Sequence, residues 1–441
     1  MERGSQEPLP PFQSPGHFLI GFAPILHHRP FVSSPTIATQ RIESLDLIRG
    51  IAVCGLVAIN SIEFGFGTML LIYPLDMAEP DRTLWAVVMG LGAGKFATLF
   101  SALFAAGMLL FCERAEASGR SAASVYFPRL GWLLLFGILH AYLIWHGDIL
   151  VTYALTGFVL FWCRNWSAKI FLIVGCALMA MTVLPLALGA AISHFVDFSE
   201  YREDWSKLLE SFQAEEETEM EALRGSWAEQ MKTRALYAFF THLFGIPFYL
   251  FWFAAMMMCF GMSLMKSGFF RGEWPTGRLQ KTTLILLATG LPLTLGGYGL
   301  FALAKPSLPL LLWAYTALST GLPLVAFGYA GLGVMWSQRG KPGFLRRGFI
   351  AVGRMAFTNY ISQSLILGLI YYGHGLGLNR QLEFREAMMI VPAVWVAQML
   401  VSSWWLGRFQ YGPLEWLWRR LTYGTIAMRK RKTPPRLPST K

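Results

Sequence analysis

The chain alternates long apolar runs with short polar breaks, and the lengths of the runs set the first reading. Apolar stretches lie at about 47–66, 96–112, 127–146, 148–163 and 170–192. A sixth ends near Leu264, and others cover about 282–303, 308–336, 350–372 and 387–406. Each approaches or exceeds the ~18 residues that a helix needs to cross a bilayer. Backbone groups in hydrocarbon must satisfy one another within the segment, so each run is read as a helix. The pattern predicts an all-α integral membrane protein, a polytopic helical bundle of about ten transmembrane helices.

Three segments break the pattern. Residues 1–40 are rich in Pro, Ser and His, and their apolar patch from Phe18 to Leu26 is interrupted by Gly and Pro. Without a basic lead-in or a cleavage site, they read as a disordered cytoplasmic tail and not as a signal peptide. Residues 193–235 are polar, and Trp205, Leu208, Leu209, Phe212, Leu223, Trp227 and Met231 recur there at helical spacing. This predicts an amphipathic insert along the outer face, with the acidic run EEETEME as its solvated side. Residues 429–441 form a basic cytoplasmic tail. An N-terminal membrane region (41–192) and a C-terminal one (236–428) remain, and the second ends in FQYGPLEWLWRRLTYG, predicted to lie along the inner surface.

Composition supports a membrane protein: 54% of residues are hydrophobic and 14% charged, against about 25% charged in soluble domains. The net charge of +11 would suit a nucleic-acid partner, but its placement excludes one. Lys and Arg collect in short loops and in Arg429–Lys432, on the side that both termini share if there are ten spans. That asymmetry predicts both termini in the cytoplasm. The five cysteines (Cys54, Cys112, Cys163, Cys176, Cys259) form no CxxC pair, which predicts neither a zinc site nor a disulfide framework. The glycine-rich pieces at 90–94 and 331–335 lie within or at the ends of spans and read as close helix packing, not phosphate loops.

Candidate chemistry concentrates in Pro128–Tyr153, PRLGWLLLFGILHAYLIWHGDILVTY. Arg129 and His140 are nearly three helical turns apart and share a face. A tight turn at Gly147-Asp148 would place Asp148 at the membrane surface near His146. In straight helices that leaves it beyond direct reach of His140, so that a water or His146 would bridge the two. An ionisable group within a span costs a few kcal/mol and faces a cavity or the bundle interior. His140 is therefore the chosen functional residue; the alternative is a structural histidine bonded to a neighbouring helix. Asp46, Arg49, Asn60, Lys95, Arg354, Asn359, Gln363 and Gln398 are also polar groups within or flanking spans. Together with the hairpin they predict a shared polar interior, which suits a membrane enzyme or a carrier.

RIESLDLIRGIAVCGLVAIN, KFATLFSALFAAG, RLGWLLLFGILHAYLIWHGDILVTYALTG and GRMAFTNYISQS…YYGHGLGL…GPLEWLWRRLTYG resemble the YeiB-like bacterial inner-membrane proteins. The C-terminal half of that family is named domain of unknown function 418. The resemblance runs from residue 41 to about 428 and implies a branch of the transmembrane acyltransferase superfamily. It implies acyl-CoA as a cytoplasmic donor and an envelope glycan, lipid or small molecule as acceptor. The LDxxRG element is Leu45-Asp46…Arg49-Gly50. By position and chemistry, His140 is the expected acid–base or acyl-carrying group and Asp148 its helper. Arg49, Arg129 and Arg354, at the inner ends of their spans, would hold the coenzyme phosphates. Asp46, Asn60, Lys95, His146, Asn359, Gln363 and Gln398 would line the interior. No metal is expected, and a homo-oligomer is left open. The alternative is a permease that uses the same polar groups as a solute or proton path; no internal repeat of the kind carriers use is visible.

Overall fold

The computed structural model describes residues 41–428 except 72–73, 75–76, 196–201, 304–306 and 425. The expectations for residues 1–40 and 429–441 lie outside the described residues. The helices are α1 (Glu43–Phe66), α2 (Asp81–Gly92), α3 (Lys95–Ala117), α4 (Ala122–Leu143) and α5 (Leu150–Leu160). They continue with α6 (Ala168–Ile192), α7 (Arg202–Ala222), α8 (Trp227–Phe240), α9 (Phe251–Lys266) and α10 (Thr276–Leu303). The last are α11 (Leu308–Gln338), α12 (Phe344–Arg354), α13 (Ala356–Tyr371), α14 (Phe384–Arg408) and α15 (Pro413–Tyr423).

Eight helical segments among the described residues are long and apolar enough to cross a membrane, and the protein is an all-α polytopic membrane protein. Two of the ten expected spans are shorter. The run at 148–163 is the apolar helix Leu150–Cys163, and the run at 350–372 is split at Met355 into α12 and α13. Both lie largely within the protein, with most of α5 and much of α13 buried and single apolar side chains such as Val159, Leu365 and Leu369 left exposed. A helix screened from lipid need not match the bilayer thickness. The second span also begins earlier than expected: α2 and α3 form one 37-residue unit, Asp81–Ala117, bent at Gly94, whose φ of 73° falls in the left-handed region.

The LDxxRG element is a packing device. A Cβ on Gly50 would overlap the Phe349 carbonyl oxygen, and one on Gly353 would overlap the Asp46 carbonyl oxygen. Backbones of α1 and α12 thus touch through two glycines, which brings Arg49 and Arg354 to the same end of the bundle. Gly50→Ala is expected to lower stability by about 1–3 kcal/mol or more, because backbone rather than a flexible side chain must move. Thermal melting in detergent checks this; an unchanged midpoint would mean the two helices can part freely.

Glu415 of α15 fixes the start of α13. Its carboxylate accepts from Phe357 N (2.8 Å), Thr358 N (3.0 Å) and Thr358 Oγ1 (2.6 Å), satisfying donors that an N-terminus leaves open. The C-terminal segment expected along the inner surface thus holds the helix that supplies the site described below.

The insert consists of two helices. Ser226 and Glu229 form a reciprocal cap at the start of α8, which runs on through a π-helical stretch, Thr241–Leu250, into α9. The 40-residue segment Trp227–Lys266 is one membrane helix, so the polar boundary at 235 falls inside it. The side chains of Trp205, Leu208 and Leu209 lie outside the described residues. The acidic face is not wholly solvated: Glu216 and Glu219 are buried.

Candidate functional site

α4 ends at Leu143, earlier than its apolar run, and six residues (144–149) separate it from α5. α8 fixes that end: Trp227 Nε1 and Arg234 Nη1 both donate to the Leu143 carbonyl, at 3.1 and 2.8 Å. The non-helical segment folds back along α4 and corrects the expectation that Asp148 lies beyond reach of His140. His140 Nδ1 and Asp148 Oδ1 are 2.8 Å apart. Nothing bridges them, because the unwound turn returns Asp148 to the depth of the histidine. The other carboxylate oxygen accepts from Val151 N at 2.8 Å and so caps α5.

Gly137 makes the approach feasible. It lies nearly one turn before His140, and a Cβ there would come within 2.7 Å of Val151 N and 3.0 Å of Asp148 Oδ2. Gly137→Ala should push the start of α5 away and lengthen the His140–Asp148 contact. The expected outcome is a destabilisation of about 1–3 kcal/mol, with the imidazole NMR signal shifted toward that of an unpaired ring. An unperturbed imidazole signal would mean that Asp148 is held by other groups.

On its other side, His140 Nε2 lies 3.0 Å from Ser364 Oγ on α13. His140 and Ser364 are each 1% exposed and Asp148 6%. An ionised carboxylate only accepts hydrogen bonds, so Asp148 requires the proton on Nδ1. The Nε2 lone pair then faces the serine hydroxyl, which donates to it. Tyr360 packs 5.1 Å from the imidazole, ring to ring, and its hydroxyl accepts from Ile149 N at 3.3 Å. Trp145 stands edge-on at 6.2 Å, and its buried Nε1 has no hydrogen-bond partner among the described residues.

His146 takes no part in this relay. It faces Glu63 of α1 and Glu219 of α7, with Nε2 at 3.6 and 3.8 Å from their carboxylates. Burial, then the Arg234 charge, holds its pKa down to about 4, so the ring is neutral and these are not ion pairs. Burial, then Glu216, pushes Glu219 up to about 7. A carboxyl raised above its ordinary 4.5 favours the fold fully below that value and loses the contribution as pH rises through 7. Glu219→Gln should therefore gain stability relative to wild type between pH 5 and 8. Parallel melting curves across that window would dismiss the shift.

The expected coenzyme arginines gather at the opposite end of the bundle. Arg49 Nη1 meets Asp46 Oδ1 at 3.1 Å, and Arg41 reaches the same carboxylate at 3.9 Å. Arg354 lies within electrostatic reach of Arg41 and Asp46, Arg114 of Arg41 and Arg419, and Arg129 of Arg419. Arg129 is stacked, with its guanidinium 3.6 Å from the Trp418 ring centroid and 5.3 Å from that of Phe111. Arg354 Nε is buried without a hydrogen-bond partner among the described residues. So many cations against Asp46 and Glu113 make a site of strongly positive potential.

The remaining expected residues do not join His140. Asn359, Gln363 and Gln398 form a buried network of their own. Gln363 Nε2 donates to Gln398 Oε1 and Val53 O, Gln398 Nε2 to Asn359 O, and Asn359 Nδ2 to Val352 O and Ser402 Oγ. Lys95 donates to Met89 O at 3.0 Å, at the bend between α2 and α3. Asn60 is buried within α1. Among the described residues no group of three His, Cys, Asp or Glu side chains is placed to hold a metal ion. Sequence reasoning missed Ser364, although it closes the motif GRMAFTNYISQS; a serine in a span carries no charge and raises no flag. Tyr360, Trp145 and Gly137 were missed for the same kind of reason; Glu63, a carboxylate inside the run 47–66, carried the signal and was passed over.

Residues 264–425 match the family model described as "Protein of unknown function (DUF418)". The chain is similar to "Uncharacterized protein YxaH" of Bacillus subtilis (strain 168), with 31% identity over 405 residues that cover 88% of this chain and 96% of the relative. It is 30% identical to "Uncharacterized protein YeiB" of Escherichia coli (strain K12) over 407 residues, 87% of this chain and 96% of the relative. An "Uncharacterized 39.9 kDa protein in amylase 3'region" of Bacillus acidopullulyticus is 25% identical over 396 residues, 88% of this chain and 96% of the relative. No solved structure matches.

Proposed function

We propose that this chain, which belongs to the YeiB-like (DUF418) family of multi-pass membrane proteins, is an acyltransferase of the bacterial inner membrane. The arginine-rich end takes the phosphates of acyl-CoA on the cytoplasmic side, and the His140 end serves an envelope glycan, lipid or small-molecule acceptor. The single observation that carries this reading is a buried imidazole held between the Asp148 carboxylate at Nδ1 and the Ser364 hydroxyl at Nε2, an arrangement that leaves Nε2 the basic nitrogen when the carboxylate accepts a hydrogen bond from Nδ1. Such a nitrogen accepts the proton of a hydroxyl or amine attacking a thioester, and returns it to the departing coenzyme thiolate. Arg129 and His140 lie on one helix about 16 Å apart by helix rise, a separation that an extended pantetheine arm covers. Arg354 Nε, a buried donor without a partner among the described residues, is the kind of group a phosphate completes.

A permease is the competing reading. It draws on Glu219, whose carboxyl titrates near neutral pH beside Glu63 and His146, as a proton-coupling group. Acetyl-CoA and a long-chain acyl-CoA separate the two. Calorimetric binding to the purified protein, with release of coenzyme thiol, supports the enzyme. Absence of both binding and thiol release, with the protein folded, overturns it in favour of the carrier.

A further inference from the structure

We infer that Ser364 is the nucleophile of a two-step acyl transfer and carries the acyl group as an ester. The inference rests on the acyltransferase reading for its donor but on geometry for its residue. Ser364 Oγ sits 3.0 Å from His140 Nε2, and Asp148 Oδ1 sits 2.8 Å from His140 Nδ1, so hydroxyl, imidazole and carboxylate form one line of hydrogen bonds. Each member comes from a different part of the chain: α13, α4 and the turn before α5. Each is buried, although a serine needs only a nearby carbonyl to be satisfied in a helix. The other serine of the same helix makes that local bond: Ser362 Oγ donates to Asn359 O at 3.0 Å. Ser364 instead spends its proton on the imidazole.

In the first step, the Ser364 oxygen attacks the thioester carbonyl while His140 Nε2 takes the serine proton. The C–S bond breaks, the thiolate takes the proton from the imidazolium, and free coenzyme leaves an acyl ester on Ser364. In the second step, the acceptor hydroxyl or amine attacks that ester and gives its proton to His140, which returns it to the Ser364 oxygen as the C–O bond breaks. No oxidant, reductant or metal is required. Asp148 stabilises the imidazolium in both steps. Trp145 Nε1, a buried donor beside the imidazole without a partner among the described residues, is of the type that a tetrahedral oxyanion needs.

Two probes test the inference separately from the proposed donor. A fluorophosphonate added to the full-length protein should modify Ser364, read as a phosphonylated peptide by mass spectrometry. Labelling should vanish in Ser364→Ala and slow by about 10² or more in His140→Ala. Ser364→Cys keeps a nucleophile, so with acetyl-CoA it should yield an acetyl thioester at position 364 that hydroxylamine removes. A wild-type protein labelled at Ser364 that ignores acyl-CoA would sustain the nucleophile and remove the donor. Thiol release from acetyl-CoA at the wild-type rate by Ser364→Ala would overturn the covalent carrier while leaving acyl transfer in place. A folded wild-type protein that takes up no phosphonate at Ser364 would make the serine a structural tie between α4 and α13, and the inference would fall.

Discussion

His140→Ala and Asp148→Asn are expected to reduce acyl-CoA turnover by similar factors, roughly 10²–10⁴ each. A carboxylate that merely oriented the ring from a distance would make the asparagine variant the milder one. The direct 2.8 Å contact removes that difference. Asp148 serves two partners, His140 Nδ1 through Oδ1 and Val151 N through Oδ2. The carboxamide of the Asp148→Asn variant can offer only one acceptor, and the backbone donor claims it. The amide NH₂ then points at Nδ1, which forces the proton to Nε2. An imidazole in that tautomer donates to Ser364 and no longer accepts from it, so the relay runs backwards. Membrane insertion and coenzyme affinity should stay near wild type in both variants. Asp148→Asn at the wild-type rate would mean that the carboxylate is an α5 cap and nothing more.

Arg354→Gln is expected to weaken binding of coenzyme A itself, without an acyl group, by about ten- to a hundredfold. A lost charged hydrogen bond is worth roughly 1.5–3 kcal/mol. The three arginines should not be equivalent. Among the described residues Arg354 has a donor unspent, Arg49 is already engaged by Asp46, and the Arg129 guanidinium lies on the Trp418 ring. The order of effect should therefore be Arg354, then Arg49, then Arg129. All of the affinity should fall with added salt, as it must for exposed phosphates on a cationic patch. Calorimetry on the three variants decides it: equal, undiminished affinity would detach the arginine cluster from the donor and leave it as a topological signal.

The sequence by itself determined the material of this protein: its class, the approximate positions of its helices and the gathering of arginines at one end. Those follow from local quantities, namely the run length that hydrocarbon demands and the distribution of charge about the runs. It also picked out His140 and Asp148, because an ionisable group is conspicuous in an apolar run. Tertiary structure alone decided that the two touch. Straight-helix geometry placed them apart, and only the early end of α4, sealed by Trp227 and Arg234 from a helix nearly a hundred positions later, turns Asp148 back. Ser364 had no local signal, since its partner is 224 positions away and hydroxyls in membrane helices are ordinary. The acidic insert misled for the same reason. Its run of glutamates reads as solvated until α1 and the 144–149 turn bring Glu63 and His146 against Glu219. Periodicity and hydropathy describe what each segment requires of its surroundings; which distant segment meets the requirement depends on packing, where Gly50, Gly137 and Gly353 set the distances.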